Sequence, residues 1–340
     1  MNGRERILAT VGFRPADRVP CMPLVFGHAA VVAGIPLSDY LRDGDCLARC
    51  QLAAQKRYGY DAVYAFMDTF VETEAMGSTL RYSPDLYPHV VQYALRSGDV
   101  PPSLKMLDPA RDGRMPEVLK AATALRRAAG DRLLVVGAVT GPMSLATTFM
   151  ALEEALYFFV DAPEAFLQVL DHATEVAIAF GLAQIRAGVQ AIVVLDPSSS
   201  PAVIPPAVFH AHVLPRLTKI MAAFRNAGAL AWLDIAGPIA PLLAALPDIG
   251  LDIVTLDYEV SLAEGQRQLP HTCLAGNIRS LDFVLATPGQ IFDAVCAVRA
   301  EVGTRGGLLL SSGSEVPLEA NPDNLHAMLT ACAVDAPCRN

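Results

Sequence analysis

Five acidic residues lie at or just after the ends of short apolar runs: Asp68, Asp196, Asp234, Asp257 and Glu315. Carboxyl groups in such positions can act as general acids or bases, or can bind a cation. If they share one site, their like charges oppose ionisation, and a cation, a cationic substrate or a bound proton must offset the repulsion. Capping of the following helix is the alternative for each single aspartate. For the whole set, the pattern favours a shared functional site.

The polar side chains that follow the apolar runs divide into two predicted groups. The group assigned to catalysis comprises Asp68, Asp234, Asp257 and Glu315. The group assigned to substrate binding comprises His28, Asp196, Asn277, Ser312 and Ser314.

Histidine and cysteine spacing predicts no metal ligand. His210 and His212 are two residues apart on a predicted helix, so they lie on different faces. His271 and Cys273 have a ligand-like spacing, but they open a predicted strand, where barrel folds rarely carry chemistry. The 7 cysteines contain no CxxC pair. Such scattered cysteines are typical of reduced thiols in a cytosolic protein.

Eight apolar runs alternate with helical patterns along the chain and must position these residues. Their near-continuous apolarity is typical of strands that are covered on both faces, as in parallel sheets. The pattern predicts a single-domain α/β protein over residues 1–340, a (β/α)8 TIM barrel with the polar residues at its mouth. The runs are RVPCMPLVF (18–26), DAVYAF (61–66), RLLVVGAV (132–139), AIVVLD (191–196), ALAWLDI (229–235), DIVTLDY (252–258), HTCLAGNI (271–278) and GGLLLSSG (306–313).

Residues 78–104 interrupt the alternation, and we expect a β-hairpin excursion there, after the second strand of the barrel. A doubly wound open sheet is the alternative fold. It is less favoured because no GxGxxG motif follows the first apolar run.

Composition limits the partners. The chain has 340 residues, a formal charge of -9 and no run of Lys or Arg, which argues against a nucleic acid or an anionic membrane as partner. The N-terminal segment has no apolar signal-type core, and no apolar run is long enough to cross a bilayer. We therefore expect a cytoplasmic protein, and the sequence leaves its oligomeric state open.

Several segments, in order along nearly the whole chain, resemble one known family. The chain is similar to the uroporphyrinogen decarboxylase superfamily, in particular to its corrinoid-linked methyltransferase branch, which includes the methylcobalamin:coenzyme M methyltransferases. This resemblance implies a (β/α)8 barrel, in agreement with the strand count. The segments are RERILATVGFRPADRVPCMPLVFGHAA, YGYDAVYAFMDTFVETEAMGSTLRY, AVTGPMSLATTF, LAGNIRSLDFVLATPGQI and LLLSSGSEVPLEANPDNLHAM.

The chain departs from the decarboxylases of this superfamily. Those enzymes hold the carboxylates of their substrate with an arginine-bearing loop after the first strand, whereas the matching loop here, VFGHAAVVAG, has no arginine. Their late GHG motif is replaced by SGSEVP, although their invariant aspartate has a counterpart in Asp68. An acidic mouth would also bind a polyanionic substrate poorly.

The chain also departs from the thiol methyltransferases, which resemble it more. Those enzymes bind zinc through motifs such as LHICG and SSGCEVP, and this chain has LDIAG and SSGSEVP in their place. Asp234, Ala236 and Ser314 thus stand where the resemblance implies one histidine and two cysteines. Zinc is not expected, because these residues are not the soft ligands of a tight zinc site.

The resemblance and its departures predict a zinc-independent methyltransferase or demethylase. It would move a methyl group between a small substrate, as methyl donor or acceptor, and a corrinoid (cobalamin). A partner protein would supply the corrinoid, because the chain lacks a DxHxxG corrinoid-binding motif. A quaternary or protonated amine would suit carboxylates, and a methyl ether would need a proton donor. The alternatives are a decarboxylase or lyase that acts on a small acid through Asp68, and a binding protein that has lost catalysis.

Overall fold

The computed structural model describes residues 1–96, 104–302 and 306–333. Its centre is a parallel sheet of seven strands, which curls into a TIM-barrel-like half-barrel in the order β1-β4-β5-β6-β7-β8-β9. The predicted α/β fold with a parallel sheet is confirmed. The strands are β1 (Ala62–Ala65), β2 (Thr79–Arg81), β3 (His89–Gln92), β4 (Leu134–Thr140), β5 (Ala191–Leu195), β6 (Leu230–Asp234), β7 (Ile253–Leu256), β8 (Cys273–Ile278) and β9 (Leu308–Ser312).

Helices connect the strands and cover the outer face of the sheet. The α-helices of the described residues are α1 (Gly3–Val11), α2 (His28–Ala33), α3 (Leu37–Tyr40), α4 (Gly44–Tyr58), α5 (Val71–Ala75), α6 (Met115–Ala129), α7 (Pro142–Phe149), α8 (Leu152–Asp161), α9 (Pro163–Arg186), α10 (Pro206–Val208), α11 (Leu214–Asn226), α12 (Leu262–Gln268), α13 (Asp282–Leu285), α14 (Pro288–Val302) and α15 (Pro322–Ala331). Two 3₁₀ helices, Pro197–Ser199 and Ala240–Ile249, and one π-helix, Phe209–Val213, complete the set.

Side chains along each strand alternate between two apolar clusters. One cluster fills the inside of the curled sheet, and the other lies between the sheet and the helices. On β6, Trp232 belongs to the inner cluster and Leu233 to the outer one, and on β7 Ile253 and Val254 alternate in the same way. A residue two positions beyond an inner residue therefore faces the inside again.

The first apolar run, residues 18–26, lies between the two edge strands of the sheet without forming a regular strand. Leu310 N–H donates to Pro20 O, Met22 N–H donates to Leu310 O, and Asp61 N–H donates to Cys21 O. This run makes one isolated bridge, from Cys21 to Leu310. Pro20 and Pro23 lack backbone donors, which explains why a continuous ladder does not form.

An antiparallel pair, β2 and β3, follows α5 and stands apart from the main sheet. The loop between these strands carries Tyr87 to the carboxyl end of the main sheet, where Gly27 N–H donates to its hydroxyl. Residues 97–103 of the segment for which we expected a hairpin lie outside the described residues.

One of the described helices, α9, is long and apolar enough by length and composition to cross a membrane. In this fold it packs against α7, α8 and α11, and residues such as Phe166, Val169 and Phe180 are buried. Packing within the fold thus accounts for its apolar face.

Candidate active site

Alternation along the strands aims one set of polar residues into the mouth of the curled sheet. Each member lies two positions beyond a residue of the inner cluster, except Asp257, which lies four positions beyond Ile253 on the same face. The set comprises Asp68, Thr140, Asp234, Asp257 and Asn277.

Asp234 is the last residue of β6, and only 5% of its surface is exposed. The Thr255 hydroxyl lies beside its carboxyl group and opposes the rise in its pKa. Burial, reinforced by the nearby charge of Asp257, raises the pKa of Asp234 to about 7. The 3₁₀ helix that follows it, Ala240–Ile249, begins without a side-chain cap, so Asp234 does not serve as that cap. A carboxyl group poised between its two protonation states at neutral pH can donate or accept a proton.

Asp257 follows β7 and is half-buried beside Asp234. Its two oxygens accept backbone N–H groups, from Gly237 at 3.1 Å and from Tyr258 at 2.8 Å. Gly313 packs so closely that a Cβ atom there would lie 2.4 Å from Asp257 Oδ1. The loop after β9 is therefore in direct contact with this carboxyl group, which brings the ends of β6, β7 and β9 together.

Glu315, on the loop after β9, meets the loop between β2 and β3. The Tyr87 hydroxyl donates to Glu315 Oε1 in a short hydrogen bond, and Gly27 N–H lies 3.3 Å from the same oxygen. Burial raises the pKa of Glu315 to about 7, and the bond from Tyr87 opposes that rise. Glu315 is thus a second carboxyl group that can exchange a proton near neutral pH.

Asp68 is bound by an arginine that the sequence analysis missed. Arg114, at the start of α6, donates to Asp68 Oδ2 at 2.6 Å and to Oδ1 at 3.0 Å, and both side chains are buried. Arg114 Nε also donates to Glu74 at 2.6 Å. Both oxygens of Asp68 thus accept charge-assisted hydrogen bonds from one buried cation. The partners are 46 residues apart, and no local pattern connects them.

Asp196 faces away from the mouth. Because Leu195 packs against the inner cluster, the next residue turns outward, towards the first turn of α7. Asp196 Oδ1 accepts Ser144 N–H at 2.7 Å, and Oδ2 accepts the Ser199 hydroxyl at 2.6 Å. The structure therefore places this residue, predicted to bind substrate, as a cap of a neighbouring helix.

His28 has no free ring nitrogen. Its Nδ1 lies 2.9 Å from Leu318 O, and its Nε2 lies 2.9 Å from the Tyr58 hydroxyl. Burial lowers the pKa of His28, so the ring is neutral at neutral pH. These contacts join α2 to the loop after β9 and to α4. They engage both ring nitrogens of a residue that was predicted to bind substrate.

The three other residues that were predicted to bind substrate differ in the hydrogen bonds that their side chains already make within the protein. Asn277 Nδ2 donates to Val260 O at 2.9 Å, and the Ser312 hydroxyl accepts Leu24 N–H at 3.1 Å. Ser314 is half-buried, and its backbone N–H and C=O both bond to the Ser280 hydroxyl. Its own side chain is the least engaged of the three among the described contacts.

Glu72 is a buried carboxyl group that the sequence analysis also missed. It lies on α5, four residues after Asp68, and reaches the end of β4, where it accepts Thr140 N–H at 2.9 Å. Burial raises the pKa of Glu72 to about 7. The signal that could have found it is the ETE sequence directly after the Asp68 turn, which resembles an ordinary solvated helix face.

The mouth has one half with a buried cation and one half without. Arg114 offsets Asp68 and Glu74, whereas the described ion pairs include none for Asp234, Asp257 or Glu315. Asp234, Ala236 and Ser314, at the positions that the resemblance assigns to zinc ligands, offer one buried carboxyl group, a methyl group and a hydroxyl. Zinc sites of this kind use imidazole and thiolate, so the donor set does not fit.

The fold and the mouth define a class: TIM-barrel-like α/β proteins whose polar groups gather at the carboxyl ends of the strands. The family model described as Uroporphyrinogen decarboxylase (URO-D) matches residues 2–334. The chain belongs to this family, as its sequence motifs predicted.

Relatives in the family include both methyltransferases and decarboxylases. The chain is 27% identical over 339 residues to the Methylcobamide:CoM methyltransferase MtaA of Methanosarcina barkeri, covering 96% of both chains. It is 29% identical over 291 residues to the Uroporphyrinogen decarboxylase of Dichelobacter nodosus, covering 83% of this chain and 82% of the relative. Relatives of both kinds are enzymes.

Solved structures share the fold. A methyltransferase from Methanosarcina mazei superposes with a TM-score of 0.89 at 22% identity and covers 97% of this chain and 98% of its own. A B12-independent methionine synthase from Shewanella sp. superposes with a TM-score of 0.62 at 14% identity, covering 85% and 86%.

Proposed function

We propose that this protein is a zinc-independent methyltransferase that moves a methyl group between a small substrate and a corrinoid on a partner protein. The observation that carries the proposal is the replacement at the mouth. Asp234, a buried carboxyl group with a pKa of about 7, stands at the position that the resemblance gives to a zinc-binding histidine. Similarity to MtaA over 96% of the chain supports the corrinoid as methyl carrier.

The residues of the mouth suit a substrate that leaves as a neutral molecule. When bound on its partner, a reduced corrinoid supplies a cobalt nucleophile that takes the methyl group. The bond from the methyl carbon to its heteroatom breaks, and the bonding pair stays on the heteroatom. From a methyl ether, the leaving oxygen would need a proton, which protonated Asp234 can donate. From a methylated ammonium, the nitrogen leaves neutral, and ionised Asp234 and Asp257 would stabilise the cation beforehand.

Asp68 and Arg114 have a different part in this proposal. The bidentate pair fixes the loop after β1 and places a cation against the Asp68 carboxyl group. This arrangement also weighs against decarboxylation of a polyanionic acid. Arg114, the buried arginine at the mouth, already pairs with Asp68 and Glu74 and has no free edge for a substrate carboxylate.

The test uses free cobalamin as the probe. The purified protein is incubated with cob(I)alamin and, separately, a methylated ammonium, an aryl methyl ether and a methyl thioether, and absorbance follows formation of methylcobalamin. The reverse reaction starts from methylcobalamin with the matching amine, phenol or thiol. We expect transfer with the ammonium or the ether, in protein treated with a chelator as well as in untreated protein.

Two variants make the test specific. Asp234→Asn should lower the rate of transfer at least about 100-fold if this carboxyl group moves the proton or holds the cation. Asp131→Asn, an exposed carboxyl change at the opposite end of the sheet, should leave the rate unchanged. Absence of transfer with every donor and acceptor, or loss of activity on chelation, would contradict the proposal. A purely binding protein would show no turnover, and a decarboxylase would release CO₂ instead.

A further inference from the structure

Glu72 is one of the most deeply buried charged side chains of this protein, with 1% of its surface exposed. It lies on the short helix α5, and its carboxyl group reaches the end of β4. Oε1 accepts Thr140 N–H at 2.9 Å, and Oε2 lies 3.3 Å from Thr140 Oγ1. The proposed methyl transfer does not use this group.

The hydrogen bonds around Thr140 can be counted. Its hydroxyl has one hydrogen, and two acceptors lie within reach: Thr69 O at 3.1 Å and Glu72 Oε2 at 3.3 Å. The backbone N–H of Glu72 is a further donor to this carboxyl group, and an ionised Glu72 could only accept from the Thr140 hydroxyl, in competition with Thr69 O. If Glu72 carries a proton on Oε2, it donates to Thr140 Oγ1, and the Thr140 hydroxyl donates to Thr69 O. Thr140 Oγ1 is then a donor to one group and an acceptor from the other, and the two acceptors no longer compete for its hydrogen.

The charges around Glu72 favour the same state. Among the described residues, the charged group that acts on Glu72 is Asp68, which lies on the preceding turn and has the same sign. The neighbouring cation, Arg114, gives its hydrogen bonds to Asp68, Glu74 and Leu41 O. From β4, Thr140 contributes only neutral groups, and from α7 the nearest polar contact, Thr148, bonds to Thr73.

We infer that Glu72 holds a proton in the folded protein up to about neutral pH and is a positioning residue, which uses this proton to fix the loop that bears Asp68 against the end of β4. The two carboxyl groups of this segment, Asp68 and Glu72, therefore have different environments. Asp68 accepts two hydrogen bonds from an arginine, and Glu72 carries a proton because it is buried and hydrogen-bonded as an acid. Separation of two nearby carboxyl groups by their environments is a common way to prepare a site for proton chemistry.

The pH dependence follows from the direction of the shift. Burial raises the pKa of Glu72 from 4.5 to about 7, so above about pH 4.5 the folded state binds more protons than the unfolded state. The contribution of Glu72 to stability is full below that pH and is lost as the pH rises through about 7. Above it, an ionised Glu72 faces Asp68 and no longer donates to Thr140 Oγ1.

Glu72→Gln tests the inference because glutamine keeps the shape and cannot ionise. Its amide can donate to Thr140 Oγ1 while its oxygen accepts Thr140 N–H. We expect the Tm of this variant to exceed that of the wild type by about 2 °C or more at about pH 8.5, with the difference shrinking towards about pH 5. The infrared carbonyl band of protonated carboxyl groups at about pH 6 should lose intensity in Glu72→Gln and keep it in the control, Asp131→Asn.

A third variant, Glu72→Met, removes the donor and should lower Tm at every pH. Glutamine has the shape of a protonated glutamate and a donor in the same place, so the inference requires the Glu72→Gln protein to fold. The inference is overturned if this variant does not accumulate as folded protein. It is also overturned if Tm of Glu72→Gln changes with pH as that of the wild type does, or if the infrared band is unchanged. None of these measurements requires turnover, so the outcome is independent of the proposed methyl transfer.

Discussion

At the scale of single residues, the aspartates at the strand ends have the same chemistry and different surroundings. Asp68 is paired with Arg114, Asp196 accepts an N–H of α7, and Asp234 is buried beside the Thr255 hydroxyl. Burial raises the pKa of Asp196 and of Asp234, whereas a cation lies against the carboxyl group of Asp68. Their roles thus follow from burial and partners that the residue type does not encode.

Asp234 gives a prediction about pH. Because its pKa is raised from 3.8 to about 7, the folded state favours its neutral form, and the protein loses stability as the pH rises through about 7. Asp234→Asn should remove this loss, worth about 2–4 kcal/mol at most, so that unfolding by urea at about pH 8.5 needs more denaturant than in the wild type. An equal or lower urea midpoint for the variant at that pH would show that Asp234 is ionised without cost.

Tyr87 gives a second prediction at this scale. Its hydroxyl donates to Glu315 and favours the ionised form, so Tyr87→Phe should raise the pKa of Glu315 above about 7. The ¹³C chemical shift of the Glu315 carboxyl group, followed against pH in labelled protein, measures this directly. Tyr157→Phe, an exposed change on α8, is the matched control. A lower or unaltered titration midpoint in Tyr87→Phe would contradict the assigned hydrogen bond.

Sequence reasoning found residues at strand ends and missed their partners. Asp234 and Asp257 could be predicted because each ends an apolar run, and alternation from Trp232 and Ile253 also gives their direction. Alternation from Leu195, which packs against the inner cluster, likewise predicts that Asp196 faces outward. Arg114 and Tyr87 could not be found, because their contacts join segments distant in the sequence.

At the scale of elements, proline explains where the observed structure differs from the predicted pattern. The apolar run at residues 18–26 has the composition of a strand, but Pro20 and Pro23 cannot donate to a ladder. The helical segment after β6 is the 3₁₀ helix Ala240–Ile249, which contains Pro247. The periodicity and hydrophobicity of a segment predict which element it forms. The backbone N–H donors that are missing at proline determine how regular that element is.

The junction between α7 and β5 gives a prediction about packing. Gly141 precedes α7, and a Cβ atom there would lie 2.4 Å from Asp196 Cβ. Both sites are buried, so Gly141→Ala must displace the Asp196 carboxyl group from Ser144 N–H and should cost about 1–3 kcal/mol. Denaturant unfolding measures this cost. Gly289→Ala, in the first turn of α14 where the nearest atom to a Cβ would be Thr287 Oγ1 at 4.0 Å, should be neutral or slightly stabilising. Equal effects of the two changes would contradict the packing argument.

At the scale of the whole molecule, a set of charged residues near the amino ends of the strands holds the first apolar run in place. Asp61 precedes β1 and is buried, and its Oδ1 accepts Arg6 Nη1 at 2.6 Å and Arg18 Nη2 at 2.9 Å. Its Oδ2 accepts Cys21 N–H at 2.8 Å. One carboxylate thus joins α1, the first run and β1. The architecture was predictable from repeated apolar runs, but this junction was not, because hydrophobic patterns carry no information on which charges meet.

The same junction is connected to the mouth through the first run itself. Ser311 Oγ donates to Met22 O, Leu24 N–H donates to the Ser312 hydroxyl, and Val316 N–H donates to Leu24 O. These bonds hold the first run against β9 and the loop that carries Glu315. A change at the amino end of the barrel can therefore alter the position of groups at its carboxyl end.

Asp61→Ala tests whether that connection matters for the whole molecule. The change leaves Arg6 without one of its two carboxylate partners and removes the Asp61 carboxylate that pairs with Arg18. It also removes the acceptor of Cys21 N–H. Loss of one member of such a buried network should cost about 3–5 kcal/mol in unfolding free energy. Asp17→Ala is the control: it also pairs with Arg6, but its side chain is 41% exposed, so its loss should cost about 1 kcal/mol. Urea unfolding gives both values, and hydrogen exchange of the Met22, Leu24 and Val316 amides shows whether the first run has loosened. If Asp61→Ala costs no more than Asp17→Ala and these amides stay protected, the apolar contacts of Met22, Leu24 and Phe26 inside the curled sheet are sufficient to hold the first run without the charges.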